Sequence, residues 1–229
     1  MNYLELLKNN KNYFEDFIAR STYHSNKIEG STLTYAETYA VIFNDNKFKI
    51  NASPREIYEA INHKYALNYM LDILNQGSTN LDANYIIRMN ELINKNIKDT
   101  TGYRKIQVFI SGVEEIPPAA NEIPEKMMYF INNYNNFPIS NTNDIFYKIA
   151  QYHIEFEHIH PFEDGNGRTG RLLINYELLK HNLAPVIIPA DDRTKYFGFI
   201  SNYDTDGLSN YFKELHDKEL ERINRYVND

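Results

Sequence analysis

The sequence predicts an all-α domain interrupted by one short β-hairpin. Three observations carry that prediction. Apolar residues recur at helical spacing over most of the 229 residues. No repeat or low-complexity linker divides the chain. Only residues 102–118 lose the helical period, alternating short apolar runs with turn residues.

Taken in order, Tyr3, Leu4, Leu7, Phe14, Phe17 and Ile18 outline a first helix or a broken helix pair. Thr34 and Glu37 form a capping-box pattern ahead of Tyr39, Ile42 and Phe43. Ser53-Pro54-Arg55-Glu56 is a stronger start, with a cap, a proline at the first helical position and a reciprocal glutamate. The helix it opens is expected to bury Ile57, Ala60, Ile61, Tyr65, Met70 and Leu74 and to stop at Gly77. Ile86, Met89, Ile93 and Ile97 outline the next. The hairpin pairs Val108, Phe109 and Ile110 with Val113 and Ile116 across Ser111-Gly112, and Pro117-Pro118 ends it. Helices then run from Met127 to Tyr134, Ile145 to His158, Thr169 to His181, Arg193 to Tyr203 and Leu208 to Tyr226.

Composition narrows the function classes. Net charge is −7, so the basic footprint of a nucleic-acid binder is missing. There is no cysteine, which excludes a disulfide framework and a thiolate metal site. No apolar run reaches membrane-spanning length, and Met1 to Lys11 lacks the apolar core of a secretory signal. The expectation is a cytoplasmic protein acting away from membranes and nucleic acid. Hydrophobic residues make up 42%, enough for a core, and with 19 tyrosines and no tryptophan much aromatic packing falls to tyrosine.

The stretch from His160 to Arg171, His-Pro-Phe-Glu-Asp-Gly-Asn-Gly-Arg-Thr-Gly-Arg, carries the chemistry. A turn on Gly165 and Gly167 can aim backbone N–H groups into one hollow, because glycine tolerates positive φ and close approach. A helix starting near Arg168 would add its positive N-terminal end. Arg168 and Arg171, three apart, share a helical face and can grip phosphate oxygens. Asp164 is a hard oxygen ligand suited to Mg²⁺, and Mn²⁺ meets the same donor. His160 titrates near neutral pH and can take a proton from a hydroxyl. His153, His158 and His160 do not have helical metal-ligand spacing, and His153 and His158 read as packing residues.

The segment resembles the signature of the Fic (filamentation induced by cAMP) family, H-x-F-x-[DE]-G-N-G-R-x-x-R, at every fixed position. The resemblance implies a helical Fic fold with the signature between two central helices and a hairpin flap, Val108, Phe109 and Ile110, across the mouth. It divides the chain into an N-terminal helical segment, 1–49, a core domain, 50–215, and a C-terminal helix end, 216–229. Gly102-Tyr103-Arg104 ahead of the hairpin is also similar to the family. The implied reaction moves AMP from ATP to a serine, threonine or tyrosine hydroxyl of a target protein and releases pyrophosphate. In it His160 is the base and Asp164 holds Mg²⁺. Gly165, Asn166 and Gly167 form the anion hole, Asn166 adding a side-chain donor; with Arg168, Thr169, Gly170 and Arg171 they make up the ATP phosphate site. Phe162 packs beneath the loop. Arg193-Thr194-Lys195-Tyr196-Phe197 resembles the family's R-x-x-Y-Y, which puts Tyr196 and Phe197 beside adenine or, equally, in the core of an amphipathic helix.

Ser25-Asn26-Lys27-Ile28-Glu29-Gly30 resembles the family's inhibitory motif, [ST]-x-x-x-E-[GN]. The resemblance implies that Glu29 pairs bidentately with Arg171, where the γ-phosphate belongs, and that Ser25 stabilises the helix presenting it. The implied protein is an autoinhibited adenylyltransferase, with itself among its candidate targets and self-association left open. An enzyme that removes AMP and a catalytically idle nucleotide-binding module are the alternatives.

Overall fold

The computed structural model describes residues 1–44, 50–77, 80–99, 101–109 and 115–227. Helices α1 (Tyr3–Asn9) and α2 (Lys11–Ile28) are the broken pair expected at the start. Asn10 separates them: its backbone closes α1, and its side chain accepts from Tyr13 N and caps α2. α3 (Tyr35–Phe43) and α4 (Pro54–Asn75) both begin with the capping boxes visible in the sequence, Thr34/Glu37 and Ser53/Glu56. α5 (Ala83–Asn94) stops short of Ile97, and Asn96 follows with φ of 62°. Then come α6 (Ile123–Asn135), α7 (Thr142–Ile159), α8 (Asn166–Lys180), α9 (Arg193–Ser201) and α10 (Thr205–Val227). Among the described residues no helix is long and apolar enough to cross a membrane.

α7 and α8 pack against each other at the centre, α10 covers α7, and α4 covers α5 and α8. The core has two parts. One gathers Phe17, Leu67, Met89, Phe130, Phe156 and Tyr176. The other gathers Ile28, Ile149, Ile174, Tyr196 and Phe212 beneath α9 and α10. A buried ion pair joins the central helices: Lys148 lies 2.5 Å from Glu177, which also accepts from Tyr134 Oη at 2.8 Å. α2 is held at its far end by α10, through Arg20 to Glu219 at 2.8 Å and Arg222 to Asp16 at 2.6 Å.

Two expectations change. Tyr65 is 51% exposed, because α4 turns Glu59, Asn62, His63 and Ala66 inward instead. The described residues of the expected hairpin form no strand: Val108 and Phe109 sit in irregular backbone, Phe109 is exposed, and Val113 lies outside the described residues. Ile110 and the Ser111-Gly112 turn lie outside the described residues. Pro117 and Pro118 have no N–H to give a ladder. Side chains supply the cross-links: Gln107 Nε2 donates to Pro117 O at 2.9 Å, and the Arg104 guanidinium donates to Ile106 O and Pro118 O.

Candidate active site

The site begins where α7 ends. His160 closes that helix with φ of 50° and ψ of 60°, a left-handed conformation that costs a non-glycine residue about 1–2 kcal/mol. Its Nδ1 lies 3.3 Å from Glu157 O. A carbonyl only accepts, so the contact favours the proton on Nδ1 and leaves the Nε2 lone pair to act as a base. Burial lowers the His160 pKa below its usual range, which keeps the ring neutral at pH 7. Phe162 is 1% exposed and packs on Tyr103 and Phe156, the place expected of it beneath the loop.

α8 starts at Asn166, two residues before Arg168. Gly165 takes φ of 79° and turns the chain into the helix, a conformation glycine adopts without penalty. Gly167 therefore lies in the first helical turn, and its role is close approach: a Cβ there would collide with Glu29 Oε1. The first intrahelical bond comes from Thr169 N, to Gly165 O at 2.9 Å. The N–H groups of Asn166, Gly167 and Arg168 precede it, so they have no partner within the helix and mark an anion-binding end.

Of three residues expected to touch phosphate, two hold the loop instead and one packs against α7. Asn166 is 2% exposed; its side chain accepts from Phe162 N and donates to Phe162 O, both at 2.9 Å, so it offers no side-chain donor to a ligand. The Thr169 hydroxyl donates to Gly165 O at 2.8 Å and accepts from Asn90 Nδ2. Gly170 lies against His153 and Glu157 of α7, where a Cβ would sit 2.8 Å from Glu157 Oε1.

Arg168 and Arg171 start from one helical face but reach different acids. Arg168 is 3.0 Å from Asp164 and 3.3 Å from Glu59. Arg171 donates from Nε to Ser25 Oγ at 3.0 Å, and from Nη2 to Ser25 O at 2.9 Å and Glu29 Oε1 at 2.7 Å. The Glu29 contact is thus a single bond from Nη2, because Nε and the other Nη2 hydrogen go to Ser25. Ser25 acts on Arg171 directly. Gly30, with φ of 100°, follows the end of α2, so Ser25 O is one of the carbonyls left free in the last turn. Arg171 caps the negative end of α2 as well as pairing with Glu29. Burial, the largest single effect, would lower the Arg171 pKa, but the Glu29 charge and hydrogen bond together with the neighbouring Tyr196 and Glu157 outweigh it, and the net direction is upward. Glu157 is the other carboxyl nearby. Burial pushes it up to about 8, so it is largely protonated at pH 7 and Glu29 is the carboxylate that Arg171 meets.

Of the aromatic pair, Tyr196 is fully buried, with its hydroxyl 2.6 Å from His153 Nε2. That makes it a core residue and not a wall for adenine. Phe197 is half-buried beneath the Arg193 guanidinium, 4.7 Å from its ring centroid. Arg193 also donates to Ile28 O at 2.8 Å and joins α9 to the end of α2.

Sequence reasoning missed four side chains that shape the loop. Asn90 and Asn94 donate to Asp164 O at 2.9 and 3.1 Å. Arg55 lies 2.6 Å from the Asp164 carboxylate and 3.0 Å from Glu59, which in turn bridges to Arg168. Only the spacing of Arg55 and Glu59, one helical turn apart, hinted at such a pair. Burial would raise the Asp164 pKa, but Arg168 and Arg55 pull it below the usual carboxylate range. Asp164 is thereby kept ionised, as a metal ligand must be.

A single carboxylate fits Mg²⁺, which usually takes one or two from protein and the rest from phosphates and water. No group of three acidic, histidine or cysteine side chains suited to a metal occurs among the described residues. Both Asp164 oxygens hold a guanidinium, and of the two the Arg55 side chain is 57% exposed against 3% for Arg168. Arg55 is the one free to swing away. Arg55→Ala is expected to strengthen Mg²⁺-dependent ATP binding by about 1.5- to fivefold, the worth of a partly exposed ion pair, with binding in EDTA unchanged. Calorimetric titration in Mg²⁺ and in EDTA checks this, and weaker binding in both would make Arg55 a nucleotide contact.

Residues 80–178 match the family model described as Fic/DOC family. A curated protein adenylyltransferase Fic of Nematostella vectensis is 34% identical over 185 residues, which cover 78% of this chain and 42% of that protein. Its namesake in Drosophila erecta is 33% identical over 181 residues, covering 78% and 35%. The chain thus spans about two-fifths or less of the length of these relatives. A Fic domain containing signaling protein from Bacteroides thetaiotaomicron shares the fold, with a TM-score of 0.81 at 22% identity over 96% of this chain and 91% of that one. A Fic family protein from Desulfovibrio desulfuricans gives 0.72 at 26% identity over 91% and 65%. Signature, helix order and sequence similarity agree, and the chain belongs to the Fic/DOC family.

Proposed function

We propose that this protein is an adenylyltransferase that moves AMP from ATP to a protein hydroxyl, and that Glu29 holds it in check. The observation that carries this reading is the seat of the Glu29 carboxylate, against Gly167 in the first turn of α8 and bonded to Arg171. A helix N-terminus next to an arginine is a site for an anion, and here the chain's own carboxylate lies in it. In the proposed reaction the acceptor oxygen attacks the α-phosphorus. The new P–O bond forms as the bond to the bridging oxygen of the β-phosphate breaks, and the electron pair leaves with pyrophosphate. His160 Nε2 takes the hydroxyl proton. The free amides of α8, with Arg168 and Arg171, hold the phosphates and stabilise the charge that develops. Mg²⁺ on Asp164 would supply further charge neutralisation as pyrophosphate departs. The protein's own exposed tyrosines are candidate acceptors; Tyr203, 53% exposed, bonds to Glu115 at 2.7 Å.

The test uses ATP labelled at the α- or the γ-phosphate, with Mg²⁺, on the protein and its Glu29→Gly variant mixed with a cell extract. Label retained on protein from the α-position alone is expected, with an intact-mass gain of one AMP. Retention of γ-label, or no label with either variant, would overturn the reading. A second reading, removal of AMP, has one observation behind it. Only Oε1 of Glu29 meets Arg171, which leaves the other oxygen to orient a water toward an AMP ester. Release of AMP from a pre-modified target by the wild type, lost in Glu29→Gly, distinguishes it.

A further inference from the structure

Arg104 is 3% exposed, and among the described residues its guanidinium makes no ion pair. Burial alone accounts for the downward direction of its pKa. Every nitrogen of the fork donates to a main-chain carbonyl, and each carbonyl belongs to a different part of the site. Nε reaches His160 O at 2.8 Å, Nη1 reaches Ile106 O at 3.0 Å, and Nη2 reaches Pro118 O. The Arg104 backbone N–H adds a bond to Pro161 O at 2.9 Å. One side chain therefore ties the outgoing arm, 105–109, and the returning arm, 115–118, to the residue that ends α7. These arms have no backbone ladder of their own, and Gln107 provides the only other cross-link between them among the described residues. The His160 carbonyl points out of a left-handed residue at a helix end, where no helical N–H can satisfy it. An uncompensated buried cation is costly, so its placement asks for a reason beyond packing.

We propose that Arg104 is a positioning residue: it sets the spacing between the two arms and His160, and so the path by which an acceptor hydroxyl reaches the imidazole. The assignment rests on the adenylyltransferase reading for the identity of the acceptor, but its geometry does not. The charge has a second consequence. Burial lowers the His160 pKa most, the Glu157 carbonyl raises it, Arg104 lowers it again, and the Glu29 and Asp164 carboxylates raise it. Removing the Arg104 charge takes away one of the lowering contributions.

The experiment compares Arg104→Gln and Arg104→Lys with the parent protein. It reads the His160 ring-proton titration by NMR, amide exchange in 105–109 and at Glu115 and Ile116, and the Kd for ATP with Mg²⁺. In Arg104→Gln the His160 midpoint is expected to rise toward the unperturbed value near 6.5. Exchange in both arms should quicken by about tenfold or more, as expected of a locally loosened segment, and the ATP Kd should hold within about twofold, since Arg104 touches no phosphate-binding group. Arg104→Lys keeps the charge without the fork, so its midpoint should stay with the parent while the arms loosen. Should Arg104→Gln not fold, the lysine variant decides by arm exchange and ATP Kd. Arms that exchange at the parental rate in either folded variant, or an unmoved His160 midpoint in Arg104→Gln, would overturn the proposal. A protein that shows these shifts yet moves no AMP from ATP defeats the proposed reaction and leaves the positioning role intact.

Discussion

Glu29→Gly is expected to raise AMP transfer by about ten- to a hundredfold. The magnitude follows from geometry: a displacement of about 1 Å from the in-line position costs on the order of a hundredfold, and Glu29 occupies space against Gly167 that a phosphate would need. Its removal frees one of the two Arg171 Nη2 hydrogens, the other staying on Ser25 O, and takes away a negative charge that repels the triphosphate. The gain must depend on Arg171, so Glu29→Gly with Arg171→Ala should lose it. Stability should move the other way. A hydrogen bond to a charged group is worth about 1.5–3 kcal/mol, and the lower end applies because the Glu29 side chain is 35% exposed while Arg171 keeps both Ser25 contacts. ATP should then raise the melting temperature of Glu29→Gly more than that of the parent, since a tighter ligand stabilises more at equal concentration. Rates of AMP incorporation and thermal shifts for the parent, both single variants and the double check the set. An unchanged rate with an unchanged ATP-dependent shift would return Ser25 to Gly30 to the status of an ordinary helix end.

His160→Ala is expected to lower transfer by about 10²- to 10⁴-fold, the usual contribution of a positioned base, with ATP affinity nearly unchanged. The proposed phosphate-holding groups belong to α8, whereas the imidazole bonds to Glu157 O of α7. The pH profile gives a second readout. His160 must be neutral to accept a proton, and burial holds its pKa below the usual 6.5. The acid limb of the parental rate should therefore fall below pH 6.5, activity decreasing as pH drops through the lowered value. The limb should be absent from the residual activity of His160→Ala. A rate within a few-fold of the parent would remove His160 from the chemistry.

Where sequence and structure agree, the signal is local. Thr34/Glu37 and Ser53/Glu56 act within one helical turn of themselves, and each begins a helix as expected. His160 to Arg171 can be read as a unit because one loop and the first two turns of α8 hold all twelve residues together. Even there, spacing did not reveal which side chains would be spent on the loop. Asn166 and Thr169 look like phosphate ligands in the sequence and are bonded to Phe162 and Gly165 in the fold.

By itself, then, the sequence determined the helical architecture, the helix starts and the chemical kit of the signature, because periodicity, caps and a contiguous motif act over a few residues. Only the tertiary structure decided which groups share the site. Arg55 meets Asp164 across 109 positions, Arg104 meets His160 across 56, and Glu29 meets Arg171 across 142. Only the family's inhibitory motif pointed to the last of these. The fate of Tyr196 was decided in the same way: its spacing allowed either face of α9, and packing against His153 placed it in the core. Such pairings depend on how helices far apart in the chain cross one another, and no pattern within a single helix encodes that.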